Sequence, residues 1–171
     1  MASKRFPEPE ALTGVSAFHH LFGMPVLDTP TIPDKKRCEL RISLLEEELE
    51  ELKEAIKDND LVEVADALAD LQYVLSGAIL EFGLGSKFKT LFDEVQRSNM
   101  SKACSTLEEA QATQKHYLEH RDTESEIRPA DGQYLVFRKG DGKVLKSVNY
   151  SPADLRSIVE DEVNEAININ S

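Results

Sequence analysis

Residues 61–82, LVEVADALADLQYVLSGAILEF, decide the fold. At helical periodicity Leu61, Val64, Leu68, Leu71 and Leu75 form one apolar stripe. Glu63, Asp66 and Asp70 form another on a different side, followed by Val74 and Gly77, and most remaining positions are apolar or small (Val62, Ala65, Ala69, Tyr73). A helix apolar nearly all round is a buried helix, so its three carboxylates are expected to point into a bundle. Six acids (58, 60, 63, 66, 70 and 81) lie between Lys57 and Lys87, with no Lys, Arg or His among them. Buried carboxylates without partners cost several kcal/mol each or take up a proton, and a bound cation is the remaining way to keep them ionised. Three plainer readings stay open: Glu63 closing a capping box with Asp60, and Asp66 and Asp70 either protonated or bonded to distant arginines.

Upstream, DND at 58–60 reads as a turn and cap, preceded by a long helix from an Asp34 cap to about Asp58. Its apolar stripe is Leu45, Leu49, Leu52 and Ile56. Glu46, Glu50, Lys53 and Lys57 share one flank with mixed signs at helical spacing, a solvated face. Glu47, Glu48 and Glu51 occupy the other flank beside Leu44 and Ala55, with Glu48 against the apolar stripe; alone, this acidic run also reads as a wet face. Packed antiparallel after a short turn, the pairs Glu48/Glu51 and Glu63/Asp66 can face each other across one cleft. An all-oxygen set suits Mg²⁺, with Mn²⁺ as the alternative ion, and leaves Glu47 to orient or deprotonate a water.

Further out, residues 10–22 read as a first helix with Val15, Phe18, His19 and Phe22 on one face, and 23–33 as a proline-bearing loop. Further helices are expected near 86–98 and 106–120. Residues 121–131 read as a polar linker, and QYLVFRK and KVLKSVNY flank Gly140-Asp141-Gly142 as a hairpin. Ser151-Pro152 opens a last short helix. The expected fold is mainly α: a bundle of four to five helices over 1–120, a linker at 121–131, and a small C-terminal β-hairpin with a short helix over 132–171.

The formal charge of −12 argues against a nucleic-acid partner, since no basic excess exists to release counterions. A small phosphorylated substrate stays admissible if metal ions mediate. No stretch is apolar enough to span a membrane, residues 1–10 lack a signal peptide's apolar core, and Cys38 and Cys104 fit no metal-ligand spacing. Cytoplasm is the expected compartment.

EExxE (Glu47, Glu48, Glu51) followed by ExxD (Glu63, Asp66) resembles the all-alpha nucleoside triphosphate pyrophosphohydrolases, and within them the MazG-like, phosphoribosyl-ATP pyrophosphohydrolase-like branch. The resemblance runs through FHHLFGMPV (18–26), RISLLEEELEEL (41–52), EVADALADLQYVLSG (63–77), FDEVQRSNMSK (92–102) and DGKVLKSVNYSPADL (141–155). It implies cleavage of a (d)NTP between its α- and β-phosphates, giving a monophosphate and pyrophosphate for nucleotide-pool control or housecleaning. By that likeness Glu47, Glu48 and Glu51 are the catalytic acids. With Glu63 and Asp66 they form the metal site, and Glu47 helps generate the nucleophile. A frame shifted to Glu46 would bring in Glu50, which lies on the Lys53 face, so the Glu47 frame is kept.

Asp70 and Tyr73 are candidates for base or sugar contact, or else a bonded core polar group and a packed aromatic. Family likeness suggests that Asn99 and Lys102 reach the substrate, with Arg97 beside them; the cations could instead serve a helix C-terminus. Arg138, Lys139, Lys143 and Lys146 make the densest cationic patch. Its Lys143 and Lys146 are taken as phosphate-binding candidates, against a role in balancing the acidic bundle. His19 and His20 read as packing or base-pocket residues. The resemblance further implies a homodimer or homotetramer. Two rivals are the phosphoribosyl-ATP step of histidine biosynthesis and a non-enzymatic helical interaction module.

Overall fold

The computed structural model describes residues 4–160. The chain divides into two compact units, Lys4–Phe88 and a second beginning at Lys89. The architecture is mainly helical with a small antiparallel hairpin towards the C-terminus, as expected.

The first unit holds α1 (Ala11–Leu21), α2 (Lys35–Asp58) and α3 (Leu61–Glu81). Asp34 starts α2 by accepting from the amides of Lys36 (2.9 Å) and Arg37 (3.2 Å). Asn59 ends it in the left-handed region at φ 55°, and Asp60 at once caps α3 through the amides of Val62 and Glu63. Two residues therefore reverse the chain into an αα-hairpin. The reciprocal Glu63 side-chain bond of a capping box is not made among the described residues.

What locks the unit is a buried ion cluster. Glu81, fully buried at the end of α3, accepts from Arg37 and Arg41 of α2; Arg37 Nε donates at 3.0 Å. Arg41 also approaches His19 Nε2 of α1 at 3.2 Å, while His19 Nδ1 lies 2.9 Å from the Pro25 carbonyl. A carbonyl only accepts and a guanidinium only donates, which fixes His19 as the neutral Nδ1–H tautomer. Gly77 makes room for this: a Cβ there would sit 2.6 Å from Arg41 Nη1 and 3.1 Å from His19 Nε2. At Gly83 (φ 67°) a Cβ would fall on the Thr29 carbonyl, because the 23–33 loop runs along the end of α3 through Leu27 N to Leu80 O and Thr31 N to Phe82 O.

Two expectations are corrected here. Glu63, Asp66 and Asp70 are exposed in the chain, not buried. The apolar character of α3 is not matched by burial either, with Leu61 79% and Val62 75% exposed. The unit is too thin to cover an all-round apolar helix, so its acids stay hydrated. The one acid of the cation-poor stretch that is buried, Glu81, is neutralised by arginines of the preceding helix.

The second unit contains α4 (Phe88–Met100, from Lys89 on), α5 (Leu107–Arg121), β1 (Ser125–Ala130) and β2 (Gln133–Arg138). A further helix begins at residue 155, capped by Asp154 through the Ser157 amide and not by Ser151. A capping box starts α5: Thr106 accepts from Glu109 N at 3.1 Å and Glu109 from Ser105 N at 2.8 Å. Its core is Cys104, Ala110, Val136 and Leu145, with Tyr117, Ile127 and Tyr134 packed against it.

The hairpin differs from expectation. β2 pairs with β1 inside the supposed linker, through a two-residue turn at Asp131 (φ 48°) and Gly132 (φ 80°). The turn at 140–142 does fold the chain back, but 143–145 meets β2 as an isolated bridge, Phe137 with Val144, flanked by the Arg138 N to Lys143 O and Leu145 N to Val136 O bonds.

Burial alone pushes the Glu81 carboxyl up, but the bonds from Arg41 and Arg37 outweigh it, and it rests below its ordinary 4.5. The stability this adds is present in full above that value and drains as pH falls through the folded one. Glu81→Gln, which strands two guanidinium groups, is expected to cost about 3 kcal/mol in urea unfolding at pH 7. The variant should also lose part of the wild-type stability decline below pH 4.5.

Candidate functional site

The α2–α3 hairpin sets which acids meet. With the reversal at 59–60, residues equally far from the turn lie level, which brings Glu48 beside the Asp66–Asp70 segment. The half-buried Glu48 carboxyl is raised above its ordinary value, first by desolvation and then by the charges of Glu51, Asp70, Glu47 and Asp66, in that order. Carboxylates of both helices therefore act on one another. Glu63 stands one turn before Asp66 on α3, exposed like its neighbours.

Among the described residues, Glu47, Glu48, Glu51, Glu63, Asp66 and Asp70 have no lysine or arginine partner, whereas Glu50 pairs with Lys53 at 2.7 Å. Of the two glutamates read as a wet face, Glu50 is paired within α2, while Glu46 has no ion pair among the described residues. Oxygen-only donors carrying unrelieved repulsion fit a hard divalent cation. Among the described residues no three acids, histidines or cysteines are already gathered around one point. Exposed side chains on two rigid helices can close that distance by rotation.

Tyr73, one turn beyond Asp70, packs edge-on against Phe18 of α1 with centroids 5.8 Å apart, and Phe18 lies 4.3 Å from Phe22. All three rings are partly exposed. Phe18 and Phe22 were not singled out with Tyr73 by sequence; the FHHLF spacing of four residues was the available signal. His19 is a structural residue, held between Pro25 and Arg41.

The remaining candidates lie in the second unit. Arg97 is fully engaged: it grips Glu94 at 2.7 Å through Nε and Nη2, and donates to Ser151 Oγ and the Pro152 carbonyl, both at 3.0 Å. Together with the Asp154 amide it holds the Glu94 carboxyl at about 2. Asn99 accepts from Lys102 Nζ at 2.7 Å. Lys102, Lys143 and Lys146 line one pocket together. No described helix is long and apolar enough to cross a membrane.

Residues 15–99 match the phosphoribosyl-ATP pyrophosphohydrolase family, which spans the three-helix unit, the acidic hairpin and most of α4. The likeness to the all-alpha NTP pyrophosphohydrolases read from sequence is thereby borne out. The chain is also 33% identical over 92 residues to an uncharacterized protein of Acanthamoeba polyphaga mimivirus. That match covers 52% of this chain and 37% of the viral protein.

Because Glu48 titrates above its ordinary value, its charge destabilises the metal-free fold above that point. Glu48→Gln is therefore expected to melt about 1–3 °C higher than wild type at pH 7 in EDTA. An unchanged or lower midpoint would mean that the carboxylates do not repel one another.

Proposed function

We propose that this chain, whose residues 15–99 belong to the phosphoribosyl-ATP pyrophosphohydrolase family, is a Mg²⁺-dependent nucleotide pyrophosphohydrolase. Its reaction converts a (d)NTP to (d)NMP and pyrophosphate. The observation that carries the reading is the group of carboxylates around Glu48, drawn from two helices and left without a cation partner.

In this reading Glu48, Glu51, Glu63 and Asp66 would hold the ion, together with Glu47. When bound, the metal would neutralise phosphate charge and lower the pKa of water. Glu47 takes the proton of the attacking water as its oxygen bonds to the α-phosphorus. The bond from that phosphorus to the bridging oxygen breaks, and pyrophosphate leaves with the oxygen. Tyr73, with Phe18 and Phe22 beside it, offers ring faces for a base, and Asp70 is an acceptor for base or sugar. Asn99, Lys102, Lys143 and Lys146, all in the second unit, are proposed to bind phosphate there. Arg97 serves them by holding the 151–152 segment on α4.

A second copy of the chain is proposed to cover α3. Its support is the exposure of Leu61, Val62, Leu68 and Leu75 along a helix whose sequence is that of a buried one. The expected state is a dimer or tetramer, in the cytoplasm. The family match equally favours phosphoribosyl-ATP as the substrate, and that reading stands beside the first.

One panel separates them: pyrophosphate release from all NTPs, dNTPs and phosphoribosyl-ATP with Mg²⁺, on protein whose mass in solution is measured by light scattering. Turnover of a (d)NTP is expected, with Mg²⁺ or Mn²⁺ raising the melting midpoint. Glu48→Gln and Asp66→Asn should each lower kcat by roughly a hundredfold or more, the scale of losing a metal ligand or its orientation. Release of phosphoribosyl-AMP with indifference to NTPs would select the rival substrate. No turnover and no metal-dependent shift would leave a helical interaction module.

A further inference from the structure

The second unit contains a pocket of about 620 Å³ lined by Lys102, Arg121, Arg138, Lys143 and Lys146, with Tyr117 in its wall. No carboxylate lines it among the described residues. In a chain of formal charge −12 that concentration of cations calls for an account.

Their partners differ. Arg138 is neutralised within its own turn, donating to Asp141 through Nε at 2.7 Å and Nη2 at 2.5 Å. The other four are not. Lys102 donates to the uncharged Asn99 side chain at 2.7 Å, and Lys146 lies over the Tyr150 ring, 4.3 Å from its centroid. Arg121 has no side-chain partner among the described residues, and Lys143 forms no ion pair there, although its charge acts on Asp141. The field is felt nearby: the Tyr150 hydroxyl is more acidic than usual, through its bond with Ser98 first and then through Lys146 and Lys102.

The frame beneath these cations is fixed. Leu145 is buried in the unit's core, and Lys146 N donates to Tyr117 Oη at 3.3 Å. Backbone bonds from Arg138 N to Lys143 O and from Gly142 N to Arg138 O hold the 138–143 turn. Four like charges without ion pairs among the described residues repel one another on such a frame, and a multivalent anion relieves that repulsion. The volume falls within the roughly 300–1,000 Å³ of small-molecule sites.

We infer that this pocket binds an oligophosphate anion, either pyrophosphate or the phosphate chain of a nucleotide, without a metal ion. Arg121 and Lys143 are its arms, with Lys102 and Lys146 beside them. The assignment adds Arg121 to the chain's phosphate chemistry and does not require turnover at the acidic hairpin.

The test is calorimetric titration of the full chain with inorganic pyrophosphate and with tripolyphosphate, in EDTA so that no ion bridges an anion to the carboxylates. Saturable binding is expected, weakening as salt is raised. Arg121→Gln/Lys143→Gln is expected to weaken it about tenfold or more, the scale of losing a charge-assisted hydrogen bond. Lys143→Gln alone serves as the milder variant, melting curves check the fold of both, and Glu48→Gln should bind like wild type. Absence of binding in EDTA, or an unchanged affinity in the double variant, would overturn the assignment.

Turnover kinetics then identify the source of the anion. If the substrate's own chain fills the pocket, the double variant raises KM. If a separate anion does, pyrophosphate alters wild-type kcat and that effect disappears in the variant. Either result upholds the pocket. Pyrophosphate binding in EDTA by a chain that turns over no nucleotide with Mg²⁺ would sink the enzymatic reading alone.

Discussion

Glu81 is the residue on which the helical unit turns. A fully buried carboxylate is tolerable only if its charge is met, and here two guanidinium groups from α2 meet it. The second of them is buried too, and is steadied by an imidazole from α1 whose other nitrogen is tied to the loop after that helix. Three helices and a loop thus share one electrostatic knot. This matters because the apolar core of the unit is small: its buried hydrophobic residues are few and often alanine. Directional bonds do here what a larger domain would do with leucines.

The contrast with the other carboxylates of α3 is informative. Glu81 is depressed by arginines, while Glu48 is raised by desolvation and by neighbours of its own sign. One end of the hairpin is electrostatically satisfied and rigid; the middle is left with repulsion. The unrelieved charge sits on a scaffold braced elsewhere, so the repulsion does not open the fold.

Helix positions were legible because the caps are local. Asp34 and Asp60 mark their helices in the sequence, and the period-3.6 pattern does the rest. The association of the two acidic segments was legible too, since a two-residue turn leaves them little choice. Burial was not. An all-round apolar helix says that something covers it, but not that the covering surface lies in the same unit, and the acids were placed inside accordingly. The partners of Glu81 were missed because Arg41 and Arg37 lie 40 and 44 residues away. The hairpin was misplaced because SEIRPA is polar and contains a proline, so the Asp131-Gly132 signal after it was passed over. That Arg97 is occupied rather than free is local through Glu94 and long-range through Ser151 and Pro152, which lie 54 and 55 residues on.

The close approach at Gly83 bears on how the acidic hairpin can be handled as a part. The Thr29 carbonyl occupies the space where any side chain at 83 would go, and loop amides on either side bond to Leu80 and Phe82. The loop is therefore a moulded cover for the end of α3, and neither can be exchanged without the other. Anyone grafting the carboxylate pair of helices onto a new scaffold must carry the segment from His19 through Gly83 as one cassette. Cut at the helix boundaries, the fragment would keep the Glu81–arginine bonds but lose the loop over the end of α3 and the His19 contact of Arg41.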